Sequence, residues 1–525
     1  MTNASRQSAP SNPINRWGGL GMFRALFLIL CFPVLFANCS TPTLPLLEGP
    51  WLIHAVFPAN HATQIATNTA LSWEILPSRV PLEMQSRSFY YTVFLDDHLP
   101  LETVVEQGYQ ATLWQPDTPL RPNTTYYWKI QLYDEEELLA TGAVWDFTTL
   151  STVVESSVVV SSVEALRNAI DHARVGGPKR IILEKGVYLV DNAIILDVDG
   201  VTVEGAGSAS ETILQGESMF EGANQIFLVR GNFVSIKNLT LQRVLTHAVQ
   251  VQGELGNIGF LLANCIIRDT GEQMLKVSYD PDHSANIARD GLIENCLFEY
   301  TGALGPQWYI GGVDAHNARN WIVRDCIFKN IRSPEFGPAE YAIHFWSDSR
   351  DTLVERNTII NCDRGIGFGL GDRGHVRGII RNNMVFHDNL EGYADVGIAA
   401  ESAPDVHIYH NTILMLSDYP NAIEIRFPIT TNAQIVNNLT NRALSVRDGA
   451  TGIFIDNISD ALPDWFVNPS NGDLHLRYNL LSVIDMGTTL EEVFDDFDGQ
   501  TRPIGSGVDI GADEVDGSTL PEYPE

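Results

Sequence analysis

The sequence predicts an all-β chain: a right-handed parallel β-helix (solenoid) with an N-terminal helical cap, preceded by a small β-sandwich. Three observations predict it. From about residue 180 an apolar residue, two variable residues and then Asn or Asp recur at coil-length intervals, at Asn238, Asn264, Asn295, Asp325, Asn357, Asn383, Asn411, Asn438 and Asn457; such a period means stacked repeats. Between these points Val, Ile, Leu and Phe alternate without a long helical period, so the repeats are strands. Seven segments then share one register: Ala248–Gln252, Met274–Ser278, Gly312–His316, Ala342–Trp346, Gly365–Gly369, Gly397–Glu401 and Ala422–Arg426.

Taken in order, the first element is a leader. Arg24 precedes an apolar run from Ala25 to Phe36, long enough for a signal h-region and too short to span a bilayer. The run ends in Phe36-Ala-Asn-Cys39-Ser40, which resembles a bacterial lipobox, and the resemblance implies export with lipidation at Cys39. A free secreted form is the alternative. The expected partition is leader 1–39, linker 40–49, sandwich 50–150, solenoid 151–515 and tail 516–525.

Within 50–150, Leu71-Ser-Trp73, Phe89–Phe94, Thr125–Ile130 and Val144–Thr149 read as alternating strands. The run Leu-x-Pro-x-Thr-x-Tyr-Tyr-Trp with a closing Trp-x-Phe-Thr-Thr resembles a fibronectin type III module, which implies a spacer or a weak carbohydrate-binding unit. Its aromatic residues fall where a core needs them, which favours a spacer. Ser161-Ser-Val-Glu164 then has capping-box spacing and opens an amphipathic helix, Val163 to Ala173. That helix is expected to cover the solenoid's first coil, whose bare edge would invite aggregation.

The repeated Asn is expected to point inward at a bend and bond its counterpart one coil away, a structural ladder. Cys265, Cys296, Cys326 and Cys362 each follow an Asn or Asp and precede apolar residues, so they read as buried thiols rather than disulfides. Neither a CxxC pair nor a CxxC…HxxxH spacing points to zinc. The segments Asp496–Pro503 and Gly507–Glu514 resemble the ending of secreted β-helix proteins and are expected to cap the C-terminal end.

Composition narrows function. The 65 acidic residues outweigh 33 basic ones, giving a formal charge of −32 across 525 residues. This disfavours nucleic acid, and an anionic substrate would need a locally basic pocket. A membrane contact is expected only through the lipid anchor, and a capped solenoid is expected to be a monomer.

The seven rungs sort residues by face, because side chains alternate across a strand. One outward column reads Gln250, Lys276, Asp314, His344, Gly367, Ala399 and Glu424, and its neighbour reads Gln252, Ser278, His316, Trp346, Gly369, Glu401 and Arg426. Gly or Ala opens six of the seven rungs, which is expected to leave room for a ligand on the sheet. Loops carrying Glu272, Trp308, Glu340, Asp348, Arg350, Asp363, Arg364, Asp372 and Arg373 flank these columns.

A parallel β-helix with an outward polar groove resembles the pectate-lyase-like superfamily of polysaccharide lyases and hydrolases. Gly271-Glu272-x-x-x-Lys276-x-Ser278 resembles lyases acting on chondroitin-type or alginate chains, in which a Lys base is paired with an Arg about one coil later. Here Asp314 stands where that Arg would be. The resemblance makes a polysaccharide the expected partner and calcium a possible cofactor; the residues themselves suggest no metal site.

Elimination on a uronate needs a base, cations for the enolate and an acid for the leaving oxygen. An adjacent Asp opposes neutral Lys276, so His316 or His344 is the expected base and Asp314 its orienter. Lys276 and Arg426 would serve the substrate carboxylate, while Glu272, Trp346, Glu401 and Glu424 would bind sugar. The alternatives are a non-catalytic surface glycan-binding or adhesion protein, a uronate epimerase and a glycoside hydrolase. Asp314 and Glu401 lie three rungs apart, too far for the roughly 5–9.5 Å carboxylate pair of a hydrolase.

Overall fold

The structure, a computed structural model, describes residues 53–523 except 59, 61, 66, 68, 76–88, 110–111, 117, 135–136, 151–156, 336, 389–393 and 491. The leader, the linker and Cys39 lie outside the described residues. The chain divides into two units, Met1–Thr152 and Val153–Glu525.

The first unit is built from two sheets. One holds Ile53–Phe57, Leu71–Ile75 and Leu113–Trp114. The other runs Ala62–Ile65, Trp145–Thr149, Thr125–Asp134, Phe89–Asp96, Val104–Tyr109, with Glu137–Thr141 also paired to Thr125–Asp134. Alternation sends one residue in two inward, so Trp73, Val93, Trp128, Ile130 and Phe147 form the core. Trp73 and Trp128 are fully buried and thus unavailable to a ligand on the surface.

The second unit is a right-handed parallel β-helix of about ten coils. Each coil gives one strand to each of three parallel sheets. Twelve strands run from Ser157–Val160 to Gly452–Ile455, ten from Gly186–Leu189 to Leu439–Thr440, and ten from Ile194–Leu196 to Ala443–Arg447. Inward Val, Ile, Leu and Phe stack coil on coil into one continuous core. The helix Val163–Arg174 covers the first coils with Leu166, Ala169, Ile170 and Ala173. Its N-cap is Ser162, whose side chain accepts from Ala165 N. That puts Ala165 where a capping box needs Glu, so Ser161 and Glu164 do not form the expected box.

The polar ladder also differs from expectation. Asn357, Asn383, Asn411, Asn438 and Asn457 do stack, each side-chain amide donating to the next Oδ1 at 2.9–3.0 Å. Asn238, Asn264, Asn295 and Asp325 stand one position earlier, at the bend, with φ of 54° to 55° for three of them and 52° for Asn295. Asn and Asp tolerate that left-handed backbone better than other side chains. In the early coils the ladder position belongs to the cysteines: Cys265 N donates to Cys296 Sγ, Cys296 N to Cys326 Sγ, and Cys326 N to Asn357 Oδ1. Two adjacent columns, each with its own reason to hold Asn, had been read as one. Cys362 is buried in a different turn, and all four thiols are free.

The C-terminal segment is not an end cap. Gly452–Ile455, the last strand of the twelve-stranded sheet, is exposed along its length. The segment instead runs back along one flank: Gly511 N donates to Asn437 O, Ala512 N to Thr412 Oγ1, and Asn382 Nδ2 to Asp495 O. The reason is apolar. Ile360, Met384, Phe386, Leu414 and Leu439 form a hydrophobic stripe on that flank, and Phe466, Leu474, Val483 and Ile510 cover it. Burying that stripe decides where the tail lies.

Candidate functional site

Strand pairing places Lys276, Asp314, His344, Gly367, Ala399 and Glu424 in one column, with His316 beside Trp346 and Glu401 beside Arg426. The small residues that open the rungs leave no room for a ligand. They sit at a corner, where a Cβ on Gly312 would clash with the Ala342 carbonyl and one on Gly365 with the Gly397 carbonyl.

The first cluster gathers around Asp314, which is 2% exposed. Lys276 Nζ donates to Asp314 Oδ2 and lies 2.8 Å from His316 Nε2. Trp346 Nε1 donates to Asp314 Oδ1 at 2.7 Å. Burial would raise the Asp314 carboxyl, but His316, Lys276 and His344 together hold it well below the ordinary carboxylate range.

His316 lies between two cations: Nε2 faces the Lys276 ammonium at 2.8 Å, and Nδ1 faces the Arg373 guanidinium at 3.3 Å and Ser347 Oγ at 3.2 Å. Burial pushes the His316 pKa down, Asp314 opposes, and Lys276 and Arg373 push it down further. His316 is therefore a neutral imidazole near pH 7, with its basic nitrogen on the sheet's outer face.

Arg373, a flanking residue by its sequence position, belongs to the site itself. It returns to the site from the turn Leu370–Arg373, donates from Nε to Ser347 Oγ at 3.0 Å, and lays its guanidinium 3.8 Å from the Trp346 ring centre. Ser347 and Tyr279, whose ring stacks on His316 at 6.4 Å, also belong here. None had a spacing signal, because loops bring them in. Two cations, one carboxylate and one neutral imidazole thus converge on a strongly acidic chain, with Glu272 and Glu340 nearby.

His344 is placed differently from His316. It is 1% exposed, stacked under Trp346 at 4.8 Å and against Tyr341 at 4.8 Å, with Nε2 donating to Gly369 O at 3.2 Å. A substrate cannot reach it. Burial holds the pKa values of His344 and His247 down to about 4 and that of His375 to about 3.

Such depressed histidines make stability fall on acidification. Between about pH 6.5, where an unfolded His titrates, and about pH 4, the unfolded chain binds a proton that the native chain refuses. Each group then costs about 1.4 kcal/mol per pH unit. Buried Asp363, raised to about 6 by desolvation, contributes with the opposite sign. His344→Gln removes one histidine contribution, so the variant is expected to lose less stability than the wild type between pH 7 and 4.5. Urea unfolding at each pH measures this, and parallel losses would contradict it.

Arg426 is not brought to Lys276. It sits four rungs beyond Asp314, roughly 19 Å at about 4.8 Å per coil. There it bonds Glu401 at 3.0 Å and Asp448 at 2.7 Å. Glu424 is held by Arg447 at 2.8 Å and by the Tyr419 hydroxyl at 2.6 Å, and Arg364 by Asp395 at 2.9 Å. Arg426, Glu401, Glu424, Arg447, Tyr419, Arg364 and Asp395 line a separate cavity of about 440 Å³. Glu272 stays near the first cluster and faces His247 Nε2 at 3.6 Å.

The residues around Lys276 do not fit a calcium ion: Asp314 is committed to Lys276 and Trp346, and Glu272 faces a histidine. Among the described residues, the His and carboxylate groups that converge at ligand distance, Asp96/Asp97/His98 and His475/Asp498/Asp513, lie elsewhere.

A family model described as right handed beta helix region matches residues 224–413. No curated protein sequence matches the chain. Among solved structures the chain is similar to a pectate lyase at 14% identity and a TM-score of 0.44, covering 64% of this chain and 88% of that one. It is similar to an alginate lyase from a Paenibacillus species at 16% and 0.39, covering 58% and 99%. It is also similar to the A-module of a mannuronan C-5 epimerase from Azotobacter vinelandii at 12% and 0.37, covering 58% and 96%. Identities this low carry no residue roles between chains.

Proposed function

We propose that the protein is an exported, carbohydrate-active β-helix enzyme that cleaves a uronic-acid-containing glycan by β-elimination, anchored to a membrane through lipidated Cys39. The observation that carries this reading is the convergence of a neutral histidine, His316, with two cations, Lys276 and Arg373, at one outward point. A glycan-binding surface has no use for a basic nitrogen so placed. An elimination needs one.

In the proposed reaction the uronate carboxylate lies between Lys276 and Arg373, and the Lys276 ammonium turns from His316 Nε2 toward it. The freed Nε2 takes the proton at C5, the electron pair forms the C4–C5 double bond, and the C4–oxygen bond breaks. The two cations stabilise the charge that gathers on the carboxylate as the proton leaves. Asp314 and Ser347 act on position, holding Lys276 and Arg373. Trp346, whose ring lies between His344 and the Arg373 guanidinium, acts on position by holding Asp314 through Nε1 instead of binding sugar.

A second reading has its own observation. The cavity lined by Arg364, Asp395, Glu401, Tyr419, Glu424, Arg426 and Arg447 contains matched ion pairs and no base, as suits a surface that only binds glycan. Incubating the whole exported chain with polygalacturonate, alginate and chondroitin separates the two. The ultraviolet absorbance of an unsaturated uronate is expected to rise with one of them. Binding without any rise would favour the adhesion reading.

A further inference from the structure

We infer that Glu340 is the proton donor to the leaving oxygen; the inference rests on the β-elimination reading above. The reaction needs an acid that His316 cannot supply while it is taking a proton. The strand order places one on the other side of the Lys276–Asp314 pair. His316 and Trp346 follow Asp314 and His344 along their strands, whereas Gln273 precedes Lys276 and Glu340 precedes His344. Glu340 N donates to Ile310 O, so Glu340 stands just ahead of Gly311.

Gly311 is where the two side chains meet. A Cβ there would lie 3.3 Å from Gln273 Cγ and 3.4 Å from Glu340 Cβ, so its hydrogen leaves a wall that both residues border. Both also have unused bonding capacity. Gln273 is 0% exposed, yet neither its Oε1 nor its Nε2 has a partner, and Glu340 Oε2 is buried and unpaired. Native proteins pair buried amides and carboxyls almost without exception; Gln273 is shut away from solvent, whereas Glu340 is only partly buried, so a departing sugar oxygen would supply a partner for its carboxyl. Burial pushes the Glu340 pKa up, Arg364 and Lys276 pull it down, and Asp314 adds to the rise; the net shift is upward, which favours the proton a donor must hold. Half-exposed Trp308 stands on the loop that leads into Gly311.

The step balances without a co-reactant. The C5 proton passes to His316 Nε2, the C4–oxygen bond breaks, and the departing oxygen takes the Glu340 proton. Glu340 is left a carboxylate and His316 an imidazolium, and proton exchange with water restores both.

The test uses the whole exported chain in D2O with whichever of polygalacturonate, alginate or chondroitin the wild type cleaves, and reads C5 deuterium exchange by NMR beside bond cleavage by absorbance. In Glu340→Gln, a near-isosteric change, cleavage is expected to fall by about 10²–10⁴-fold while C5 exchange continues. A synthetic uronate with a phenol leaving group at C4 is expected to restore cleavage, since phenolate departs unaided. Cleavage at the wild-type rate would overturn the assignment. So would loss of exchange together with cleavage, which would make Glu340 a structural support. A wild type that neither exchanges nor cleaves any of the three polymers would instead overturn the β-elimination reading, and this inference with it.

Discussion

Replacing His316 with Ala is expected to slow uronate cleavage by about 10²–10⁴-fold, the contribution of a positioned general base, with a much smaller change in KM. The asymmetry follows from the geometry. The carboxylate is held by Lys276 and Arg373, which survive the substitution, whereas the imidazole between them does not. Because burial and two neighbouring cations lower its pKa, the acidic limb of the wild-type rate profile is expected below about pH 6.5, the value of a free imidazole. His344→Gln is the control: His344 lies under Trp346, so its loss touches stability more than turnover. Equal losses of turnover in the two variants would remove His316 from the base role. An unchanged rate in His316→Ala would remove the mechanism.

How much of this was legible depended on whether the information is local. The column Lys276, Asp314, His344, Gly367, Ala399, Glu424 follows from a two-residue period, which a strand obeys wherever one face is buried, so pattern alone gives the pairing. The Asn repeat was legible as a repeat but not as two columns. Asn suits a left-handed bend and also an inward ladder, and only the chain path separates Asn295 at the bend from Asn357 in the ladder. Arg373 and Ser347 come from turns, where no period governs direction. Arg426 and Lys276 are both outward cations on one sheet, and counting coils, five of them, separates them. His344 and His316 look equivalent in sequence; Trp346 packs against both rings, and the difference between them lies in their charged partners, since only His316 has Lys276 and Arg373 at its ring nitrogens. The C-terminal segment carries polar residues because it folds onto itself around Arg502, a feature that reads as a cap until the apolar stripe on the flank is seen.

Arg502→Ala is expected to destabilise the C-terminal segment by about 3–5 kcal/mol, the cost of leaving a buried charge unpaired. Arg502 and Glu514 are both fully buried and bond at 2.6 Å. The guanidinium also donates to Gly511 O at 2.9 Å, Ala512 O at 3.0 Å and Asp495 O at 2.9 Å, so one side chain satisfies three carbonyls that would otherwise be buried without partners. Glu514 in turn accepts from Ile504 N and Asp509 N. Without Arg502 the carboxylate must take up a proton or the segment must leave the flank, exposing the stripe of Ile360, Met384, Phe386, Leu414 and Leu439. The expected result is a lower urea midpoint and earlier protease cleavage beyond residue 460, with uronate cleavage intact because the segment lies away from Lys276 and His316. A double change, Arg502→Ala with Glu514→Ala, is expected to cost less than the sum of the two single changes, since neither charge is then buried alone. Additive losses, or a single variant as stable as the wild type, would show that apolar cover alone holds the segment down.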